Sequence, residues 1–250
     1  MKNLLLLFCF FSFGKSYTKA QIKQTTQINR VWLGFFNQTR LSDRWGIWAD
    51  AHLRTEKNFI EDFSQAFIRV GLTRYLDDHT KITAGYAFVN EFPSENHPSF
   101  SRYEHRPWQQ IQWHTNYGKK KMMQWIRTEQ RYRRKILGDS SGFAPGYNFN
   151  HRIRYNIYFD VPLNKAGVVP KSFSWIINNE VHINFGKEII NNYFDQNRFF
   201  TGIKYQINTH DNLQLGYMNL FQQLPAGNKY RDFHVIRLFY FQNLDLRKKR

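Results

Sequence analysis

Cysteine is all but missing from this chain: its 250 residues contain one, Cys9, which leaves disulfide scaffolds and thiolate metal sites almost nothing to draw on. Long apolar runs are also scarce. Beyond the stretch "LLLLFCFFSF" near the start, no segment approaches the roughly 18 consecutive apolar residues of a membrane-spanning helix, and mean hydropathy is −0.63. The glycines are scattered singly, so no loop is built to cradle phosphates, and no proline-rich linker divides the chain. Acids are few, 19 against 36 Lys and Arg, for a net charge of +17. Helical periodicity is absent. One class survives the low hydropathy: a transmembrane β-barrel alternates lipid-facing and lumen-facing residues, so its strands never score as apolar peaks.

What is there begins with a leader. Met1, Lys2 and Asn3 precede the apolar run and a polar stretch ending "TKAQ" follows it, the layout of a secretory signal peptide over residues 1–20 with cleavage before Gln21. Bulky Phe8 before Cys9, and an apolar run that continues past it, argue against a lipid-attachment cysteine. Removing Lys2, Lys15 and Lys19 with the leader takes three units from the positive charge.

Residues 21–250 read as one domain of strands. In "RWGIWADAHLR", Trp45, Ile47, Ala49, Ala51 and Leu53 share one parity while Arg44, Asp50, His52 and Arg54 share the other. The split returns over 149–161 and 173–185, and in weaker form over 29–38, 62–76, 79–90, 105–117, 121–136, 196–208, 211–221 and 232–245. These segments are longer than most soluble strands and suit a tilted crossing of a bilayer. Tight turns ("LDDHT", "YGKKK", "NTHD") alternate with longer loops ("EFPSENHPSFSRYE", "LGDSSGFAPGYN", "GKEIINNYFD", "QQLPAGNKYRD"), as in outer-membrane barrels. The expected fold is therefore all-β: a single transmembrane antiparallel barrel with a polar, Arg- and Glu-rich lumen. Eleven segments can be counted. Bacterial barrels are even-stranded as a rule, so about twelve strands are expected, with Gln21–Ile28 supplying the last or rising through the lumen.

The stretch "QWIRTEQRYRRK", residues 124–135, packs five cations into twelve residues with Trp125 and Tyr132 among them. As an aromatic, basic surface it would suit nucleic acid. As a strand it places Trp125, Arg127, Glu129, Arg131 and Arg133 on one face, and Arg152 and Arg154 of the next strand also lie opposite an apolar face. The second reading explains the alternation, and an exported protein does not ordinarily meet nucleic acid. The expected lumen network is Arg44, Asp50, His52, Arg54, Arg69, Glu104, Arg106, Arg127, Glu129, Arg131, Arg152, Arg154, Glu180 and Arg198, with pairs across adjacent strands. Trp45, Phe63, Phe149, Phe173 and Trp175 begin their strands on the apolar parity, where a barrel carries its aromatic girdles; a soluble sandwich would use shorter strands.

The motifs Arg44-Trp45-Gly46, Glu104-x-Arg106-x-Trp108-Gln109-Gln110, Arg127-x-Glu129-Gln130-Arg131, Arg152-x-Arg154-Tyr155, Asn179-Glu180, Asp195-Gln196-Asn197-Arg198 and Gly216-Tyr217-Met218 recur in order along the chain. In this the chain resembles a family of Bacteroidota outer-membrane proteins known only as a domain of unknown function. The resemblance implies an outer-membrane barrel with a polar interior, and no substrate or catalytic residue.

Enzymatic chemistry finds little support. A barrel lipid hydrolase needs a serine beside an oriented histidine, and neither Ser64 nor Ser174 forms a motif with His182, His151 or His114. Glu180 and His182 share a face but lack further metal ligands. No catalytic residue, metal or cofactor is expected. The expected function is a narrow or gated passive pore or envelope component, with a plugged structural or assembly partner as the alternative. Expected partners are outer-membrane lipid, lipopolysaccharide and small anionic solutes, with no nucleic acid. The basic ending "LDLRKKR" follows a terminal strand read as finishing at Phe241.

Overall fold

The computed structural model describes residues 22–93 and 99–247, and among these it contains strands and turns without helix. The expected leader, residues 1–20, lies outside the described residues. Eleven strands run in order: β1 (Gln24–Arg40), β2 (Trp45–Lys57), β3 (Glu61–Tyr75), β4 (Thr80–Glu91), β5 (Arg102–Tyr117), β6 (Lys120–Ile136), β7 (Phe143–Pro162), β8 (Ser172–Phe185), β9 (Phe194–Gln206), β10 (Asp211–Gln223) and β11 (Lys229–Asp245). Each of the eleven alternating segments of the sequence became one of them.

Neighbours in sequence pair antiparallel from β1 through β11, and β1 then closes on β11 in parallel, from Gln24 opposite Lys229 to Arg40 opposite Asp245. This corrects the expectation of about twelve strands. An up-and-down array with an odd count leaves its first and last strands running the same way, so the ring can close only through a parallel pair. Gln24–Ile28, from the region expected to supply a twelfth strand, instead lengthens β1 to 17 residues. β11 likewise runs past Phe241 to Asp245, and Leu246 still donates its backbone N–H to Arg40 at 2.8 Å.

The odd count puts the start of β1 and the end of β11 at opposite mouths. Connections 58–60, 137–142, 186–193 and 224–228, with the end of β4 and the start of β5, gather at the mouth where β1 begins; 41–44, 76–79, 118–119, 163–171 and 207–210 gather at the other. Local chemistry sets the tight turns. Gly118 takes φ +59° in a two-residue hairpin, a twist suited to adjoining strands. The Asp77 carboxylate accepts the backbone N–H groups of His79 and Thr80, both at 2.6 Å, which holds its pKa below the ordinary value.

Alternation sorts the side chains. Outward positions carry large exposed apolar groups, such as Ile68, Val70 and Leu72 on β3 and Ile236 and Leu238 on β11, with Trp45, Tyr117, Phe173 and Trp175 toward one mouth and Phe63, Tyr132, Tyr147 and Phe185 toward the other. Polar groups on this outer face satisfy one another: Gln109 accepts from Thr128 at 2.8 Å and Gln130 at 3.2 Å, and Asn197 donates to Asn179 at 3.1 Å. Inward, glycine makes room for rings. Gly71 and Gly85 face each other on β3 and β4, and a Cβ on either would lie 2.9 Å from Trp108; Gly202 and Gly216 face each other on β9 and β10 beside Phe200.

Candidate functional site: a charged and aromatic lumen

The barrel encloses a cavity of about 1240 Å³. One side of its wall, on β5 to β9, is an ion-pair lattice. Glu104 on β5 receives a two-pronged pair from Arg131 (2.7 and 2.9 Å) and a third bond from Arg106 (2.7 Å), with Arg133 at 3.5 Å. Glu129 on β6 receives Arg152 at 2.5 and 2.9 Å and Arg154 at 2.7 Å, and lies 3.9 Å from Arg106. Arg154 reaches on to Glu180 (2.6 Å), where His182 (2.9 Å) and Arg198 (3.6 Å) also converge, while Arg152 reaches Asp195 (3.0 Å). Shared arginines thus link Glu104 and Glu129 to Glu180 on β8 and Asp195 on β9.

The register explains the lattice: Glu129 stands directly opposite Arg152 between β6 and β7, and Glu180 opposite Arg198 between β8 and β9. Glu104 and Glu129 are fully buried, at 0% exposure. Buried carboxylates persist only where guanidinium groups satisfy most of their lone pairs, and breaking one partner out of such a pair costs about 3–5 kcal/mol.

A second ion cluster occupies β2 and β3. Asp50 takes both prongs of Arg69 (2.8 and 3.0 Å), stands 3.0 Å from His52 and accepts the Trp48 indole N–H. Arg127 departs from the expected role. It pairs with no carboxylate in the lattice; it donates to Gln110 (2.9 Å) and sits among the rings of Trp108 (4.5 Å), Trp125 (5.0 Å) and Trp48 (5.8 Å). Arg54 also stands outside the lattice, against Trp32.

The lumen therefore gathers Asp50, His52, Arg54, Arg69, Glu104, Arg106, Arg127, Glu129, Arg131, Arg152, Arg154, Glu180 and Arg198. Arg44 is the exception: it is exposed in the 41–44 turn, just before β2 begins, where no strand parity governs its direction. The chemistry considered for hydrolysis is scattered. Ser64 donates to the backbone of Thr55 (2.8 Å), His151 stacks outward on Phe185, and Ser174 sits on the same strand as His182 but eight positions away. Among the described residues no group of three or more His, Cys, Asp or Glu is placed to hold a metal.

Sequence reading missed two parts of the site. Asp195, singled out only within a motif, and Lys204 were both absent from the expected lumen network; the register slips between His182 and Ile183, so Asp195 and Gln196 are consecutive yet both buried, which breaks the parity used to find inward residues. Lys204 on β9 pairs with Asp160 on β7 over the intervening β8, along the same stretch of wall. The other omission is an apolar wall on β10, β11 and β1, where Trp32, Met218, Leu220, Phe233, Val235 and Phe239 pack together with Ile176 and Phe200. Phe36 stacks on Phe241 at 4.5 Å within it. Its signal in the sequence was a strand apolar on both parities, such as "FHVIRLFYF".

These features define a closed β-barrel, sealed by one parallel pair, around a lumen that is ionic on one side and apolar on the other. The family model described as "Protein of unknown function (DUF2490)" matches residues 29–231, from β1 to the start of β11, and the chain belongs to that family. No curated protein and no solved structure matches the chain.

Proposed function

We propose that the protein is an outer-membrane β-barrel that acts without catalysis as a narrow passive path for small anions. The observation that carries this reading is the reach of the cavity: one continuous lining includes Glu91, Phe92 and Pro225 at one mouth and Lys121, Pro170 and Thr209 at the other. Membrane residence is supported by the leader read in residues 1–20, by the band of exposed apolar residues around the outside and by the aromatic residues toward both mouths. Anion preference is supported by the lining, in which Arg and Lys outnumber carboxylates. Expected surroundings are outer-membrane lipid and lipopolysaccharide.

The inward rings of Trp108, Phe200 and Phe239 favour a second reading, a plugged barrel with a structural or assembly role. One experiment separates the two. Envelope fractionation with unboiled and boiled gel samples should place a heat-modifiable species in the outer membrane, and the purified species should carry current in planar bilayers. Arg131→Ala and Glu129→Ala should each alter single-channel conductance, because both remove a brace from the lumen wall. Current unchanged in both variants overturns the lumen as the path; no current together with a stably co-purifying envelope protein establishes the second reading.

A further inference from the structure

Arg54 is a half-buried lumen cation without a counter-charge. Its Nη1 donates to Gln65 Oε1 at 2.8 Å, its Nε has no partner, and no carboxylate among the described residues forms an ion pair with it. The strongest charges acting on it are cations: Arg198, Arg106, Arg154 and Arg30. Its guanidinium lies 3.7 Å from the centre of the Trp32 ring, and Arg198 approaches the same ring at 5.1 Å. The Trp32 indole N–H is itself buried with no acceptor. Beyond Trp32 the cavity wall turns apolar through Met218, Leu220 and Phe233.

A positive focus bordered by unused donors and continued by an apolar wall is the complement of one kind of molecule. We propose that the lumen binds an amphipathic anion, with a carboxylate or phosphate head held by Arg54, Arg198 and the Trp32 N–H, and a hydrocarbon chain laid along Met218, Leu220 and Phe233. A guanidinium fork matches the paired oxygens of either head group, and an anion arriving there relieves a charge that the protein leaves uncompensated. The cavity of about 1240 Å³ exceeds the roughly 300–1,000 Å³ of ordinary small-molecule sites, which leaves room for a chain and the water around it. This inference deepens the anion preference proposed above and rests on that reading of the lumen, but it requires no current.

The test is calorimetric titration of the purified barrel in zwitterionic nanodiscs, with empty discs subtracted. Octanoate and octyl phosphate are the probes, and the two arms tell a carboxylate site from a phosphate site; saturable binding of either supports the proposal. Acetate, which has a head and no tail, and octanol, which has a tail and no charge, should each bind at least about tenfold more weakly. Arg54→Gln and Leu220→Ser should each weaken probe binding by about tenfold or more while the folded gel mobility persists. Acetate or octanol binding as well as octanoate, Arg54→Gln binding like the unaltered protein, or no binding of either probe overturns the proposal. A barrel that conducts chloride yet binds neither probe loses this inference and keeps the pore reading; one that binds octanoate without conducting does the reverse.

Discussion

At the scale of single residues, the arginines of 127–134 do not form one basic surface. Arg131 braces Glu104, Arg127 lies among three tryptophan rings, and Arg134 turns outward to the Gly146 carbonyl at 3.2 Å and the rings of Phe143 and Tyr147. Parity separates Arg134 from the others, and neighbours on β5 and β7 decide the partners. Glycine is as specific as arginine here. A Cβ on Gly85 would stand 2.1 Å from the Val70 carbonyl and 2.9 Å from Trp108, whereas at Gly142 the nearest atom is Leu137 Cδ1 at 3.7 Å. Gly85→Ala should therefore destabilise the barrel by about 1–3 kcal/mol, the usual cost of overpacking, and Gly142→Ala should be neutral. The temperature at which the compact gel band converts to the unfolded one reads both; equal behaviour of the two variants would refute the packing role of the Gly71–Gly85 gap.

At the scale of elements, the seam between β1 and β11 is the least ordinary feature. Asn37 lies opposite Gln242, and their side chains bond at 2.9 Å. Asn37→Cys combined with Gln242→Cys should form a disulfide on mild oxidation, visible as altered mobility of the denatured chain. A twelfth strand between β1 and β11 would hold them about 10 Å apart, beyond the roughly 7 Å that a disulfide spans, and the link would not form. The alternation that made β2, β7 and β8 legible carried no information on this point. Pairing partners depend on how the ring closes, and a strand's own pattern does not encode its neighbour.

At the scale of the whole molecule, charge and shape act together. Arg237 lies in the lumen against Phe200 at 3.3 Å, with no carboxylate partner among the described residues and Gln214 Oε1 as its acceptor at 3.5 Å. In bilayers under a KCl gradient the reversal potential should favour chloride, and Arg237→Gln should reduce that preference while leaving the lattice of Glu104, Glu129 and Glu180 intact. The preference should also shrink between about 0.1 and 1 M salt, as the screening length falls from about 10 to 3 Å. A cation-selective or salt-independent current would refute the lumen charge as its cause.

The sequence by itself determined the all-β class, all eleven strands to within a few residues for most, and which face of β2, β5, β6, β7 and β8 carries charge, because a period of two is a local property of the backbone. Tertiary structure alone decided the rest. Eleven strands rather than twelve follows from closure in parallel, a relation between residues some 205 positions apart. Asp195 joined the lattice through a bulge that parity cannot anticipate, and Arg44 left it because it sits in a turn. The division of the lumen into an ionic side and an apolar side also emerged only in three dimensions. It depends on β10 and β11 meeting β1 around the ring, which brings the apolar wall up to Trp32, the residue that stands opposite Arg54 between β1 and β2.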